Sequence, residues 1–135
     1  ALALFIPLLV GTGGNVGAQA ATSAVRALAV GEVRPSDALR VSWRESRVGL
    51  LLGLVLGSLA FVAGWLVAGI GVGITVGVSV VLVCIWAATV GAVMPLMARA
   101  LNIDPAVISA PLVTTLVDAT GLLIYFGVAG LVLSL

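Results

Sequence analysis

One acidic residue, Asp118, is the only Asp, Glu, Lys or Arg in a long run of apolar and small residues at 106–135. A helix over residues 105–135 would rise roughly 45 Å, and Asp118 would lie about 20 Å along it, close to the middle of a bilayer. A carboxylate at that depth costs at least ~2.5 to 3.5 kcal/mol, so it normally faces water, an ion or a partner. The first hypothesis is therefore a cation pathway. The alternative is a protonated or internally hydrogen-bonded Asp118 that only holds helices together.

Two further residues share the helical face of Asp118. Thr114 lies one turn before it and Ala110 lies two turns before it. An acid, a hydroxyl and a small residue on one face are typical of a pore wall. One carboxylate per chain is too few to strip a divalent ion of its water, but two symmetry-related chains would bring two carboxylates to an axis. That arrangement suits a hydrated Mg²⁺, which dehydrates reluctantly and binds through one or two carboxylates.

A second polar segment lies near the start of the chain, where four glycines and two carboxamides occur within residues 11–19. Because each glycine weakens a helix by about 1 kcal/mol relative to Ala, a bent helix against protein or a water-filled cavity is expected. Asn15 and Gln19 are one turn apart and share a face. They would line or brace a pore, or else form interhelical hydrogen bonds worth about 0.6 kcal/mol on average.

The segment before Asp118 begins with Asp104 and Pro105, a pair typical of a helix start. Pro111 would then fall inside the same helix and kink it, because it removes the hydrogen bond to the Val107 carbonyl. That freed carbonyl could face an ion or a water, or be shielded by a neighbouring helix. Asp104 and Val107 are therefore secondary candidates for contact with the ion.

The composition places these residues in a membrane protein. The chain is 62% hydrophobic and 8% charged, with a mean hydropathy of +1.35, whereas soluble domains carry about 25% charged residues. We predict an all-α polytopic transmembrane bundle with spans at about 2–30, 48–68, 72–98 and 105–135. The chain has no His or Lys, and its lone Cys84 lies in an apolar run. These features argue against an enzyme and against zinc or haem sites, and no feature indicates nucleic-acid binding.

Arginine placement predicts the orientation of the bundle. All six basic residues lie in or beside the connections 31–47 and 99–104, which fall on one side of a four-span bundle; they are Arg26, Arg34, Arg40, Arg44, Arg47 and Arg99. The positive-inside rule makes that side cytoplasmic, in the plasma (inner) membrane. Both ends of the chain would then lie outside, and a cytoplasmic N-terminal domain would require an odd number of preceding spans. One missing helix is the simplest expectation.

The long first connection should hold a short amphipathic helix capped by Ser36. Leu39, Val41 and Trp43 would lie on the headgroup layer while neighbouring arginines face lipid phosphates. Deeper in the membrane, Gly49, Gly53 and Gly57 recur every four residues, and Gly73 and Gly77 repeat the spacing. This pattern predicts close packing of helix backbones, within the bundle or in a dimer.

Two motifs resemble the MgtE-type magnesium channels. The motif Gly11-Thr-Gly-Gly-Asn15-Val-Gly17-Ala-Gln19, followed by Ala21-Thr22 and Arg26-Ala-Leu, is similar to the second transmembrane helix of that family. Asn102-Ile-Asp104-Pro105-Ala106 and Pro111-Leu-Val-Thr-Thr-Leu-Val-Asp118-Ala-Thr-Gly121-Leu-Leu-Ile-Tyr125 are similar to its fifth helix. The resemblance covers essentially the whole chain.

The resemblance implies a Mg²⁺-selective homodimeric channel with five helices per subunit and the pore at the dimer axis. It also implies cytoplasmic regulatory domains, including a CBS-domain pair, and makes Asp118 the main pore ligand for hydrated Mg²⁺. Two positions depart from better-known members, which carry a carboxamide at the position of Ala110 and an alanine at that of Thr114. Selectivity could therefore be looser here, and transport of other divalent cations such as Mn²⁺ stays open.

Two other functions remain alternatives at this stage. A proton- or ion-coupled divalent cation secondary transporter would need a titrating Asp118 and usually internal repeats, and no convincing repeat is present. A non-conducting membrane scaffold subunit would tolerate replacement of Asp118 by Asn, since an amide still forms hydrogen bonds. The partners expected for the channel are a lipid bilayer, a second copy of the chain and cytoplasmic regulatory domains of a longer parent chain.

Overall fold

A computed structural model describes residues 1–108 and 110–134. Four long helices make up most of the described chain, and no strand occurs within it. The helices are α1 (Ile6–Ala29), α2 (Ala38–Ala68), α3 (Ile70–Ala100) and α4 (Ala110–Leu133). Short 3₁₀ helices lie at Leu2–Phe5, Pro35–Asp37 and Pro105–Val107. The predicted all-α transmembrane bundle with four spans is therefore confirmed.

All four helices are long and apolar enough to cross a membrane. The shortest, α1 and α4, have 24 residues each, and at ~1.5 Å per residue they exceed the ~30 Å hydrocarbon core. Helix is the expected structure for such segments, because the bilayer offers backbone N–H and C=O groups no partner outside the segment itself.

α3 forms the centre of the bundle. It packs against each of the other three helices, and its buried side chains include Val76, Val80 and Cys84. α2 lies at the periphery and exposes many leucines, as expected for a surface that faces lipid. α1 also packs against α4, so α1, α3 and α4 together form the compact side of the bundle.

The glycine ridge of α2 is an intramolecular packing surface. Gly49, Gly53 and Gly57 are buried, and a Cβ on Gly49 would lie 2.5 Å from the carbonyl oxygen of Cys84. A Cβ on Gly53 would lie 2.8 Å from the Cα of Val81, also in α3. The predicted close approach of helix backbones is thus found between α2 and α3 of one chain. Gly69, with φ of +90°, joins these two helices as a one-residue link.

The second span is longer than the sequence pattern predicted. α2 begins at Ala38 rather than Val48, so the amphipathic segment continues directly into the membrane helix. The physical reason is that no Gly or Pro interrupts residues 36–48. The predicted Ser36 cap was wrong, because the carboxylate of Asp37 accepts the hydrogen bond from the backbone N–H of Arg34 at 2.8 Å.

The fourth span begins later than predicted. Asp104 does cap a helix start, accepting a hydrogen bond from the N–H of Ala106 at 3.0 Å, but that helix is only the 3₁₀ turn Pro105–Val107. α4 begins at Ala110, which places Pro111 in its first turn, where no N–H is needed. The expectation that Pro111 kinks a continuous helix was therefore wrong.

Candidate functional site

The carboxylate of Asp118 lies in the third turn of α4. Its Oδ1 atom is buried and has no hydrogen-bond partner among the described residues. The residue as a whole is only partly buried, so one side of the carboxylate is enclosed by protein and the other is accessible. A polar oxygen left unpaired inside a protein costs free energy, and it is normally found where an ion, a water or a partner completes it.

The enclosing side of Asp118 is the backbone of α1 at Gly14. A Cβ built on Gly14 would lie 3.4 Å from the Asp118 Oδ1 and 3.4 Å from the Thr114 Cγ2. Asp118 and Thr114 therefore lie on the same edge of α4, as their spacing predicted, and both face α1. The absence of a side chain at Gly14 keeps the space beside the carboxylate open.

Neighbouring glycines set the distance between α1 and the other helices. A Cβ on Gly13 would lie 2.6 Å from Val83 of α3, and one on Gly17 would lie 3.1 Å from Val113 and Val117 of α4. Gly17 also packs its backbone against Gly91 of α3. The glycine run that sequence analysis assigned to a bent helix instead forms a regular helix pressed against two neighbours.

Thr114 directs its hydroxyl back to its own helix. Its Oγ1 donates to the carbonyl oxygen of Pro111 at 3.0 Å, and the Thr115 hydroxyl donates to the same oxygen at 2.8 Å. With its proton engaged, the Thr114 oxygen can still accept a hydrogen bond from water beside Asp118. Ala110 is exposed in the first turn of α4 and adds no polar atom to this face.

Asn15 and Gln19 lie on a different side of α1. Both are exposed, and both line a cavity of about 370 Å³ that is also bounded by Val48 and Leu52 of α2. The shared face predicted for the two carboxamides is therefore present. Within one chain, however, that face meets α2 rather than the Asp118–Thr114 edge.

The two secondary candidates, Asp104 and Val107, precede α4 and so lie before the Asp118–Thr114 edge begins. Asp104 uses one carboxylate oxygen to cap the short 3₁₀ helix, and Val107 is an exposed residue of that helix. Asp104 lies at the Arg-rich end of the bundle, five residues after Arg99. The structure thus brings Asp118 and Thr114 together and leaves Asp104 and Val107 apart from them.

The described residues contain no group of three or more His, Cys, Asp or Glu side chains placed to hold a metal ion. A single carboxylate and a hydroxyl oxygen cannot replace the complete hydration shell of a divalent cation. What this edge can do is accept hydrogen bonds from the waters of a hydrated cation, with the charge of Asp118 favouring cations over anions.

One polar contact near the site was not anticipated from the sequence. The buried hydroxyl of Tyr125, two turns beyond Asp118, donates to the backbone carbonyl of Leu2 at 2.9 Å. This bond connects α4 to the 3₁₀ helix Leu2–Phe5, which precedes α1. A signal was available, because Tyr125 is the only Tyr in the chain and a phenol in an apolar span needs a hydrogen-bond partner.

Comparison with protein families gives a match over most of the chain. The model of the MgtE family, described as a divalent cation transporter, matches residues 6–128. The match includes Asp118, Thr114 and the glycine run of α1.

Curated proteins give similar results. The magnesium transporter MgtE of Thermus thermophilus is 48% identical over 133 residues, covering 98% of this chain. The magnesium transporter MgtE of Bacillus subtilis is 35% identical over 130 residues, and that of Enterococcus faecalis is 36% identical over 131, each covering 96% of this chain. The chain spans only about 30% of the length of these relatives.

Proposed function

Because the chain belongs to the MgtE family of divalent cation transporters, we propose that it forms the path by which Mg²⁺ crosses a membrane. Asp118 is the main ion ligand on this proposal, and the path runs along the edge where α1 meets α4. The observation that carries the proposal is the Asp118 Oδ1 atom, which is buried against Gly14 without a hydrogen-bond partner among the described residues. The three magnesium transporter relatives support Mg²⁺ as the ion.

The ion passes with most of its water attached. Asp118 accepts hydrogen bonds from metal-bound waters or makes a single direct contact, as suits an ion that is reluctant to dehydrate. Thr114 offers its hydroxyl oxygen to the same waters, and Ala110 leaves room for them at the start of α4. Mn²⁺, which also prefers oxygen ligands, is a second candidate ion.

A second copy of the chain supplies the other half of the path. One carboxylate per chain is available on this edge, and a two-fold axis beside it would place two carboxylates around one ion. Asn15 and Gln19 brace α1 from its α2-facing side, and Asp104 and Val107 lie near the Arg-rich mouth of the path. Regulatory domains outside this chain are expected partners, since the relatives are more than three times longer.

The direction of transport follows from the proposed orientation. With the Arg-rich end in the cytoplasm, a potential that is negative inside draws a divalent cation inward with about 4.6 kcal/mol per 100 mV. No coupling ion is needed under that driving force, so we propose a channel rather than a coupled transporter.

Mg²⁺ flux into proteoliposomes tests this function. The full-length protein is compared with its Asp118→Asn and Asp118→Ala variants, and Thr115→Val serves as the matched control on another face of α4. We expect flux to fall at least about tenfold in both Asp118 variants, because the charge is lost in each, and to persist in the control. Unchanged flux in Asp118→Asn would contradict the assignment of Asp118 and favour a scaffold.

A proton ionophore separates the channel from a coupled transporter. Flux driven by a K⁺ diffusion potential should persist when the proton gradient is collapsed. Loss of flux under that condition would favour the proton-coupled alternative instead.

A further inference from the structure

α1 and α2 follow one another in the chain, yet they hardly touch. Each packs against α3, and a groove runs between them along the bundle. At the Arg-rich end this groove widens into a cavity of about 550 Å³, here named the arginine cavity. It is lined by Ser23, Arg26, Ala27, Glu32, Val33, Arg40, Val41 and Arg44.

The residues that line the arginine cavity carry more positive than negative charge. Three of its lining residues carry a guanidinium group and one, Glu32, carries a carboxylate, which leaves a net charge of +2. Three of the six arginines of the chain, Arg26, Arg40 and Arg44, line this cavity, and the other three do not. A concave site with an excess of one charge concentrates ions of the opposite sign.

The three guanidinium groups have unused donors. Arg40 is 3.3 Å from Asp37, but its side chain is 72% exposed. Arg44 approaches Glu45 only to 3.7 Å, and Arg26 forms no ion pair with any described residue. Since each guanidinium has five N–H donors in a planar fork, the cavity can bind a tetrahedral oxyanion through several charge-assisted hydrogen bonds.

The depth of the arginine cavity matches the lipid phosphates. The uninterrupted apolar part of α2 starts at Val48, so Arg44 lies about 6 Å beyond it along the helix, at headgroup depth, and Arg40 lies about 12 Å beyond it, on the aqueous side of that layer. Headgroup layers extend roughly 5 to 8 Å beyond the hydrocarbon on each side. The groove continues from the cavity past Ser23 to the apolar side chains of Val48 and Leu52, beside which an acyl chain can lie.

From this charge and depth we infer that the arginine cavity binds the phosphate group of an acidic phospholipid, whose acyl chain follows the α1–α2 groove. The inference does not rest on the proposed ion path, because Asp118 and Thr114 of α4 face α1 at Gly14, whereas the groove lies on the side of α1 that faces α2. Glu45 lies beside Arg44, with its carboxylate 3.7 Å from that guanidinium, and so offsets part of the positive charge next to the cavity.

Native mass spectrometry of the full-length protein measures this binding. Phosphatidylglycerol is titrated against phosphatidylcholine in the presence of a chelator, which removes divalent ions that could bridge Glu32 to a phosphate. The test variant is Arg26→Gln/Arg40→Gln/Arg44→Gln. The matched control, Arg34→Gln/Arg47→Gln/Arg99→Gln, removes the same charge from arginines outside the cavity.

We expect the test variant to weaken phosphatidylglycerol binding by about tenfold or more and the control to weaken it by less than about twofold. Equal losses in both variants would overturn the inference, because they would indicate diffuse surface attraction alone. The single variant Arg26→Gln, with an expected loss of about threefold or more, replaces the triple variant if the latter misfolds.

Inorganic phosphate distinguishes a lipid from a soluble ligand. We expect millimolar phosphate to leave phosphatidylglycerol binding and thermal stability nearly unchanged. If phosphate alone stabilises the protein through Arg26, Arg40 and Arg44, and phosphatidylglycerol does not, the lipid assignment is wrong.

Discussion

At the scale of single residues, Asp118 combines a stability cost with its proposed function. Its Oδ1 atom is buried without a hydrogen-bond partner among the described residues, inside an otherwise apolar helix. A carboxylate in that setting is expensive, whereas a carboxamide loses the charge and retains the shape. The carboxylate of Asp118 therefore lowers the stability of the protein while it supports the proposed transport.

Asp118→Asn should make this opposition measurable. We expect the variant to unfold at a higher temperature in detergent, by a free energy of roughly 1 kcal/mol or more, while Mg²⁺ flux is lost. Thermal unfolding followed by size-exclusion chromatography checks the stability, and Thr115→Val provides the comparison on α4. A lower unfolding temperature would show that the carboxylate stabilises the fold.

Gly14→Ala should affect the space beside Asp118 rather than the fold. Its added Cβ would make ordinary contacts of 3.4 Å with Asp118 and Thr114, and alanine favours a helix over glycine by up to about 1 kcal/mol. We expect unchanged or higher thermal stability with flux reduced severalfold. Gly127→Ala, where nothing lies within 4 Å of the new Cβ, is the matched control for flux and stability.

The residues of this site differ in how far the sequence reveals them. Asp118 is evident from its charge in an apolar run, and Thr114 follows from helical spacing. Gly14 is not evident as their neighbour, because spacing within one helix does not specify which face of another helix it meets. The contact depends on how α1 and α4 pack against α3, which only the three-dimensional structure supplies.

At the scale of helices, the predicted spans are correct in number and approximate in bounds. Hydropathy identifies the membrane part of α2 but not its extension to Ala38, because polar residues continue a helix whenever no Gly or Pro stops them. Conversely, Pro111 is compatible with a kink or with a helix start, and a single sequence does not distinguish them. In the structure, Pro111 lies in the first turn of α4.

Gly53→Ala should loosen the α2–α3 pair. The new Cβ would lie 2.8 Å from the Cα of Val81, and a backbone atom can move aside only if the helices separate. Overpacking of this kind typically costs about 1 to 3 kcal/mol. Denaturation in mixed micelles should show this loss of stability, and Gly127→Ala should not; equal stability of both variants would contradict the tight α2–α3 contact.

At the scale of the whole molecule, the proposed path requires two chains whose α4 helices face one another. Ala110 is exposed at the start of α4, on the face of Asp118, whereas Leu66 is exposed on the peripheral helix α2. The lone Cys84 is fully buried and should not react across chains.

Ala110→Cys therefore should cross-link two chains in membranes through a short bifunctional maleimide. Leu66→Cys and the unsubstituted protein should remain uncross-linked on denaturing gels. Cross-linking through Leu66→Cys but not Ala110→Cys would place the dimer axis at α2 and contradict a shared path at α4.

The contact between Gly14 and Asp118 also constrains how the protein is made. Synthesis proceeds from the N-terminal side, so α1, α2 and α3 emerge from the ribosome before the acidic residue does. On the proposed path, the ion-attracting charge enters the bilayer only with α4, after α1, α2 and α3 exist to receive it. A chain whose synthesis has not reached α4 therefore lacks the proposed Mg²⁺ ligand.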